Sequence, residues 1–184
     1  MNRIITIGRE FGSGGRTIAK MTGEKLGIKV YDNELLIKIA KESGLAQAYV
    51  AEKSENLTLS DLIGRSLSGF GTYNQVLVED NLWKMQSEVI LDLAKKETCI
   101  IVGRCADYIL KDYDNVVRIF IHAPQDYRIQ RVMDVYGDTP KEARVNIERS
   151  DKARASYYEH ISGTHWGDAR NYELTVDSSD GVEK

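Results

Sequence analysis

The sequence lacks three features that would point to particular classes of protein. Among its 184 residues it has only two cysteines, Cys99 and Cys105, and no paired cysteines or histidines at metal-binding spacing accompany them. The formal net charge is −3, so the chain has no overall basic excess of the kind that binds nucleic acid or anionic membranes. It also has no apolar run that approaches the length of a membrane span. We therefore expect reduced cysteines and a protein that binds neither nucleic acid nor membrane.

The beginning and the length of the chain indicate a single domain. An apolar, β-branched stretch at residues 3–7 starts directly after Met1 and Asn2, so we expect no signal peptide and predict a cytoplasmic protein. A chain of 184 residues is enough for one compact domain and too short for two ordinary ones. We predict one domain, 1–184, and no feature of the sequence specifies an oligomeric state.

Short apolar runs alternate along the chain with amphipathic stretches at helical spacing. Strands are predicted for five runs: 3–7, 28–32, 98–103, 116–123 and 172–178. Helices are predicted for the stretches 14–26, 33–43, 75–96, 103–112, 125–137 and 140–160. TCIIVG, at 98–103, is almost wholly apolar, as in strands that are buried on both faces of a parallel sheet. The alternation predicts a three-layer α/β fold around a parallel sheet.

The stretch ITIGREFGSGGRTIAK, residues 5–20, runs from a predicted strand through a glycine-rich loop into a predicted helix. Successive main-chain N–H groups in such a loop can surround a phosphate, and the helix N-terminus adds partial positive charge. Gly12, Gly14 and Gly15 allow the close approach and the positive φ angles that this shape requires. The order of strand, loop and helix favours a phosphate-binding loop over a simple glycine turn.

The lysine that binds the phosphates in the pattern G-x-x-x-x-G-K-[ST] is missing from this loop. With Gly15-Arg16-Thr17 at the end of the pattern, Arg16 stands at the lysine position and Glu10 at the first glycine. Moving the frame by one residue puts Gly15 at the lysine position and leaves Arg16 as the nearest cation. We expect Arg16 to replace the lysine, because a guanidinium binds phosphate oxygens through two nitrogens. Thr17 keeps the hydroxyl that would bind Mg²⁺.

Two further polar side chains lie at the carboxyl ends of predicted strands. Asp32 and Arg104 come at the ends of the second and third strands, and the carboxyl ends of parallel strands meet at one edge of the sheet. We therefore expect both residues to share a crevice with the glycine loop. Asp32 can also cap the helix that begins at Asn33, and the two roles are compatible.

Six segments of the sequence resemble the cytidylate kinase-like proteins, a branch of the P-loop nucleoside monophosphate kinases. They are spread along nearly the whole chain: REFGSGGRTIA, IKVYDNELL, IIVGRCADYIL, HAPQDYRIQRV, RSDKARASYY and NYELTVDSS. The resemblance implies a P-loop NTPase fold, ATP and Mg²⁺ as cofactors, and phosphoryl transfer to a nucleoside monophosphate, with CMP or dCMP as the expected acceptor. Cytidylate kinases themselves carry the loop lysine and a Gly-Arg-Asp sequence after the third strand, where this chain has Gly103-Arg104-Cys105-Ala106-Asp107.

The resemblance also implies roles for individual residues. The donor's β- and γ-phosphates and the metal would be held by the loop residues Gly12, Ser13, Gly14, Gly15, Arg16 and Thr17. Asp32 would lie beside the acceptor or Mg²⁺, Arg104 would bind the acceptor's phosphate, and Asp107 would contact its base or sugar. Arg131 would stack on the adenine. The cations that close over the transferring group would be Arg149, Lys152 and Arg154.

Simpler interpretations exist for several of these residues and for the whole chain. The cations on helix 140–160 also fit a solvated face, and Arg131 can pair with Asp134 or Asp126 on its own helix.

We expect residues 45–75 to form an acceptor lobe and residues 138–170 a lid. A kinase for another small acceptor is one alternative function. A nucleotide-binding module without catalysis is another, and the missing lysine favours it.

Overall fold

The computed structural model of the protein describes residues 2–42 and 74–181. These ranges contain five β-strands: β1 (Ile4–Arg9), β2 (Lys29–Tyr31), β3 (Cys99–Val102), β4 (Val116–His122) and β5 (Leu174–Asp177). They also contain six α-helices: α1 (Gly15–Leu26), α2 (Asn33–Glu42), α3 (Asn74–Lys96), α4 (Ala106–Ile109), α5 (Gln125–Tyr136) and α6 (Pro140–Ser162). A 3₁₀ turn, Ala169–Asn171, precedes β5. Every predicted strand and helix is present, with its ends shifted by a few residues at most.

The five strands form one parallel sheet in the order β2-β3-β1-β4-β5. β1 lies at the centre, with Ile7 opposite Val102 of β3 on one side and Ile119 of β4 on the other. From β1 the chain moves toward the β2 edge of the sheet, and from β3 it later moves past β1 toward the β5 edge. The direction in which successive strands are added therefore changes beside β1. In open parallel sheets a ligand-binding crevice forms at such a point, beyond the carboxyl ends of the strands.

Alternate residues of β3 belong to two different layers of the core. Cys99 and Ile101 pack with apolar residues of α2 and α3 on one face of the sheet. Ile100 and Val102 pack with residues of β1, α1 and β4 on the other face. All four side chains are at most 1% exposed, as expected for a strand covered on both faces. The three-layer α/β fold predicted from the sequence is confirmed.

Both cysteines are buried and unpaired. Burial raises the pKa of the Cys99 thiol and of the Cys105 thiol to about 12, so neither is a thiolate at neutral pH. The two cysteines therefore contribute packing and no reactive group.

The helix assigned to the lid begins where the sequence predicts. The Thr139 amide donates to Glu142 Oε2 at 2.8 Å, and the Glu142 amide donates back to Thr139 Oγ1 at 3.3 Å, which is a capping box. The predicted acceptor lobe, 45–75, lies almost entirely outside the described residues. No helix in the described ranges is both long enough and apolar enough to cross a membrane.

Candidate functional site

The loop between β1 and α1 has the left-handed glycines predicted for a phosphate-binding loop. Gly12 and Gly14 have φ angles of 81° and 76°, in the left-handed region that favours glycine. A Cβ at position 12 would also lie 2.9 Å from the carbonyl oxygen of Arg128. α1 begins at Gly15, and the amides of its first turn have no partner within the helix. These N–H groups lie just beyond the carboxyl end of β1, where the helix dipole favours an anion.

Ser13 belongs to the internal structure of the loop. Its side chain is fully buried and its hydroxyl donates to the carbonyl oxygen of Glu10 at 3.0 Å. The carbonyl oxygen of Ser13 accepts a hydrogen bond from the hydroxyl of Ser178 at 2.6 Å, which fastens the loop to the segment after β5. The Ser13 hydroxyl therefore stabilises the loop through a hydrogen bond within it.

Arg16 and Asp32 form an ion pair across the crevice. Arg16 Nη2 lies 2.5 Å from Asp32 Oδ2, while the Arg16 side chain remains 53% exposed. The other oxygen, Asp32 Oδ1, accepts a hydrogen bond from the Leu35 amide at 3.2 Å and so caps α2. Asp32 thus combines the capping role with a position in the crevice, as the sequence allows.

The turn that carries Arg104 is strained. Gly103, Arg104 and Cys105 have φ angles of 72°, 58° and 53°, three consecutive residues in the left-handed region. This conformation costs a residue other than glycine about 1–2 kcal/mol. Such strain is concentrated at functional sites, where the surrounding structure holds a side chain in a required position. Burial lowers the pKa of Arg104, so its cation is held in surroundings that disfavour charge.

Arg9, the last residue of β1, is a site residue that the sequence reasoning missed. Its guanidinium lies against Gly103, since a Cβ at that position would come 2.9 Å from Arg9 Cζ. Burial lowers the pKa of Arg9 to about 9, with smaller contributions from three neighbouring guanidiniums, those of Arg154, Arg104 and Arg16. The carboxylate of Asp32 opposes this shift. Four arginines from four different segments therefore converge at the end of β1.

Helix α6 is docked on the loop through a second residue that the sequence reasoning missed. The Phe11 amide donates to Asp151 Oδ1 at 2.7 Å, and Asp151 also pairs with Arg128. Arg154 Nη1 donates to the carbonyl oxygen of Arg9 at 3.0 Å, and its guanidinium lies 5.6 Å from the centre of the Phe11 ring. Of the three cations predicted for the lid, Arg154 thus contacts the loop directly.

The other two predicted lid cations are placed differently. Arg149 Nη2 donates to Asn146 Oδ1 at 3.0 Å on the same helix. The side chains of Arg149 and Lys152 are both exposed. In the described conformation these two residues lie on the solvated face of α6.

Arg131 and Thr17, both predicted on the donor side of the site, are in contact. Arg131 Nη2 donates to Thr17 Oγ1 at 3.0 Å, which joins α5 to the first turn of α1. Asp134, one of the alternative partners on the same helix, instead accepts a hydrogen bond from Gln130. Thr17 is exposed at the start of α1, and its hydroxyl oxygen retains a second lone pair after accepting from Arg131.

Asp107 lies inside the protein. It is 5% exposed, and its Oδ2 accepts a hydrogen bond from the Tyr158 hydroxyl at 2.7 Å. Burial raises the pKa of Asp107, although the hydrogen bond from Tyr158 opposes the shift. This contact joins α4 to α6 and gives the Asp107 carboxylate a partner within the protein. The predicted contact of Asp107 with an acceptor base or sugar stays a prediction.

A cavity of about 500 Å³ opens beside the loop on the side of β4 and β5. Its lining includes Glu10 from the loop, His122 and Asp177 from the strand ends, and Trp166 from the segment before the 3₁₀ turn. The Trp166 ring packs edge-on against Phe120, with 5.3 Å between ring centres. This cavity is a second concave surface at the same edge of the sheet.

The five-stranded parallel sheet with helices on both faces and a glycine loop after its central strand has the fold of the P-loop kinases. Solved structures with this fold match nearly the whole chain. A shikimate kinase from Bacteroides thetaiotaomicron covers 96% of this chain and 87% of its own, with 13% identity and a TM-score of 0.54. A gluconokinase from Sinorhizobium meliloti covers 98% and 85%, with 14% identity and a TM-score of 0.55.

The chain belongs to the cytidylate kinase-like family, whose profile matches residues 4–180. An uncharacterized protein from Eubacterium ventriosum has a similar structure, with 30% identity, a TM-score of 0.71 and coverage of 96% of this chain and 88% of its own. The cytidylate kinase of Methanopyrus kandleri is 27% identical over 178 residues, which are 96% of this chain and 84% of the relative. That of Methanosarcina barkeri is 26% identical over 182 residues, or 95% and 86%. Family and fold together assign a kinase role.

Proposed function

We propose that the protein transfers a phosphoryl group from ATP to a nucleoside monophosphate, with CMP or dCMP as the acceptor. Two relatives that match along nearly the whole chain are named cytidylate kinase, which supports the acceptor. The observation that carries the proposal is the clustering of arginines beside the glycine loop. The Arg9 guanidinium lies against Gly103, the neighbour of Arg104. Arg154 donates to the Arg9 carbonyl oxygen at 3.0 Å, and Arg16 lies in the first turn of α1. In an otherwise acidic chain this is a local site for several phosphate groups.

In this proposal the donor and the acceptor bind on opposite sides of the end of β1. The amides at the start of α1 hold the β- and γ-phosphates of ATP, and Arg131 lies on the adenine side of Thr17. Arg104 binds the phosphate of the acceptor, because it lies in the strained turn after β3, against which the Arg9 guanidinium packs. Asp32 orients Arg16 between the two ligands. Asp107 supports the acceptor side through Tyr158.

The reaction forms one bond and breaks one. An oxygen of the acceptor's phosphate attacks the γ-phosphorus of ATP in line, and the bond from that phosphorus to the oxygen of the ADP leaving group breaks. The products are ADP and a nucleoside diphosphate. Because little covalent work is needed from the protein, its contribution is to position the two phosphates and to stabilise the charge between them.

The residues present fit a magnesium ion that is shared with the nucleotide. Mg²⁺ in such sites is held by one or two protein oxygens, with phosphate oxygens and water completing its shell. Thr17 is exposed and offers a hydroxyl, and Asp32 offers a carboxylate that is 21% exposed. Among the described residues no cluster of three or more His, Cys, Asp or Glu forms a cage for a metal, which agrees with an ion that arrives with ATP. When bound, the ion would neutralise charge on the β- and γ-phosphates.

We further propose that residues 138–170 act as a lid and residues 45–75 as the acceptor lobe. Contacts of Arg154 and Asp151 with the loop tie the lid to the phosphate site. A lid in this position excludes water, which would otherwise compete as the acceptor and hydrolyse ATP. Arg149 and Lys152 are then cations that reach the phosphates only when ligands draw the lid further over the crevice.

Turnover against a panel of acceptors tests the proposal. ADP formation from Mg-ATP is followed by a coupled assay with CMP, dCMP, UMP, AMP and GMP, and with cytidine as an acceptor that lacks the phosphate. CMP or dCMP should give the highest kcat/KM, and cytidine should give no turnover because Arg104 would have no phosphate to bind. Phosphorylation of cytidine but not of CMP would contradict the proposal.

A nucleotide-binding module with little turnover is the second candidate function. Gly15 at the lysine position favours it, since that lysine normally reaches the β- and γ-phosphates. Isothermal titration with Mg-ATP, run beside the turnover assay, separates the two. Binding without transfer to any acceptor of the panel would select the second candidate.

A further inference from the structure

The side chain of Arg9 occupies the space in which a residue at position 15 would place its own. A Cβ at position 15 would lie 2.6 Å from Arg9 Cβ and 2.9 Å from Arg9 Cγ, closer than side chains approach in proteins. The φ angle of Gly15 is not positive, so its backbone conformation is open to any residue. Space alone therefore requires a glycine at position 15, and Arg9 is what fills that space.

The far end of the same side chain reaches a second glycine, Gly103, whose φ angle of 72° itself favours glycine. The Arg9 guanidinium lies where a side chain at position 103 would begin, with Cζ 2.9 Å from the Cβ site. Arg9 thus extends from the start of α1 to the turn after β3, and one glycine at each end makes room for it. This path runs from the proposed donor phosphates to the proposed acceptor phosphate.

The sequence pattern of the loop gives this arrangement a simple interpretation. In the frame of G-x-x-x-x-G-K-[ST] that starts at position 9, Arg9 stands at the first glycine, Gly15 at the lysine and Arg16 at the serine or threonine. The cation and the glycine have therefore changed places. The positive charge comes from the end of the strand instead of the start of the helix.

We propose that Arg9, rather than Arg16, replaces the missing lysine and that its guanidinium binds the phosphate oxygens of the donor nucleotide at the point of transfer. This inference rests on the proposed function and adds the residue that supplies its central cation. Arg9 is a binding residue in this account because it contacts the transferred group itself.

The surroundings of Arg9 support an anion at this position. The charges of Arg154, Arg104 and Arg16 all act on it and disfavour its cation. Among the residues that the structure describes, none accepts a hydrogen bond from its guanidinium, and the opposing carboxylate, that of Asp32, is paired with Arg16. A phosphate would offset the repulsion between the four cations and accept hydrogen bonds from the Arg9 guanidinium. Arg16 is less suited to the lysine's role because its side chain is 53% exposed and already bound to Asp32.

The test is an exchange of the two positions, measured by isothermal titration with Mg-ATP. The proteins compared are the wild type and the variants Arg9→Met, Arg16→Met, Gly15→Lys and the double variant Arg9→Gly with Gly15→Lys. Arg3→Met is the matched control, because Arg3 is exposed and precedes the opposite end of β1. Thermal unfolding without ligand reports the integrity of the fold for each protein.

Arg9→Met should weaken binding at least tenfold, about the loss expected for one charge-assisted contact. It should keep or raise the unfolding temperature, because it removes one of four like charges. Gly15→Lys alone should lower the unfolding temperature, since its side chain collides with Arg9. The double variant should recover both stability and Mg-ATP binding, because the lysine then has the space of Arg9. Arg3→Met should behave as the wild type.

Unchanged binding by Arg9→Met, or a larger loss in Arg16→Met than in Arg9→Met, would overturn the inference. A double variant that folds as stably as the wild type but binds no Mg-ATP would also overturn it. Wild-type protein that binds Mg-ATP but does not phosphorylate CMP would contradict the proposed reaction and leave the role of Arg9 in binding intact. Wild-type protein that binds no Mg-ATP would overturn both.

Discussion

The main-chain amide of Phe11 donates a hydrogen bond to the carboxylate of Asp151, 2.7 Å away and 140 residues further along the chain. The contact joins the phosphate loop to the helix of the proposed lid. The same carboxylate pairs with Arg128, whose Nη1 also donates to the carbonyl oxygen of Phe11 at 3.2 Å. The Asp151 side chain thus links the loop, α5 and α6.

Asp151→Ala should destabilise the ligand-free protein. Removing the carboxylate leaves the Phe11 amide without its acceptor, and hydrogen bonds to charged groups contribute about 1.5–3 kcal/mol each. Arg128 loses one carboxylate partner and keeps its contacts with Glu10 and the Phe11 carbonyl oxygen. A loss of about 2 kcal/mol lowers the unfolding temperature of a chain of this size by roughly 4–8 °C. Thermal unfolding by circular dichroism measures this. Glu148→Ala, an exposed change on the same helix, is the control, and equal unfolding temperatures for the two variants would contradict the role of Asp151.

Arg104→Gly and Arg104→Ala should separate strain from binding. Both remove the guanidinium, so both should raise the KM for CMP by roughly 10- to 100-fold, the effect of one charge-assisted phosphate contact. Only glycine relieves the left-handed backbone at φ 58°, so Arg104→Gly should be more stable than Arg104→Ala by about 1 kcal/mol. Steady-state kinetics and thermal unfolding give the two readouts. If both variants keep the wild-type KM for CMP, Arg104 is not the acceptor's ligand.

Asp107→Asn should change how stability depends on pH. Burial raises the pKa of Asp107 above its ordinary value near 3.9, so the folded protein holds a proton that the unfolded chain releases. The stability of the wild type is therefore lost progressively as pH rises from the ordinary pKa through the raised one. The amide side chain of the variant does not titrate, so the variant should gain stability relative to the wild type as pH rises above about 4. Parallel curves of unfolding temperature against pH would show that Asp107 is ionised normally in the folded protein.

Thr17→Val should reduce turnover mainly at low magnesium. The substitution keeps the shape of the side chain and removes the hydroxyl proposed as the protein's ligand to Mg²⁺. The Mg²⁺ concentration that gives half-maximal turnover should rise, while the fold is retained because Thr17 is exposed. Thr22→Val, further along α1, serves as the control. An unchanged magnesium requirement would exclude Thr17 as the metal's ligand.

The sequence predicted the elements well because each depends on local patterns. The apolar run TCIIVG became β3, buried on both faces, and Thr139 capped α6 through Glu142 as its position suggests. The proximity of Asp32, Arg104 and the loop follows from the parallel sheet itself, which brings the carboxyl ends of its strands together. These parts of the site could be derived before any contact was known.

The residues that sequence reasoning missed depend on contacts between distant segments. In the sequence Arg9 stands at the end of a strand and has no motif that marks it as a site residue. Its position in the site is visible only in the structure, where its side chain lies against Gly15 and Gly103. Asp151 lies in a run of charged residues, RSDKAR, where a solvated face is the ordinary expectation. For Arg9 the sequence did contain a signal. When the loop pattern is aligned so that a glycine replaces the lysine, another residue must supply the cation, and Arg9 stands at the first glycine of that alignment.

A crystal structure of the protein with Mg²⁺, a non-hydrolysable ATP analogue and CMP tests the central claim most directly. The account predicts that the terminal phosphates of the analogue lie against the amides of residues 14–17 and within hydrogen-bonding distance of the Arg9 guanidinium, with the CMP phosphate on Arg104. Phosphates bound instead in the cavity between Glu10 and Trp166, with the Arg9 guanidinium directed away from them, would contradict it.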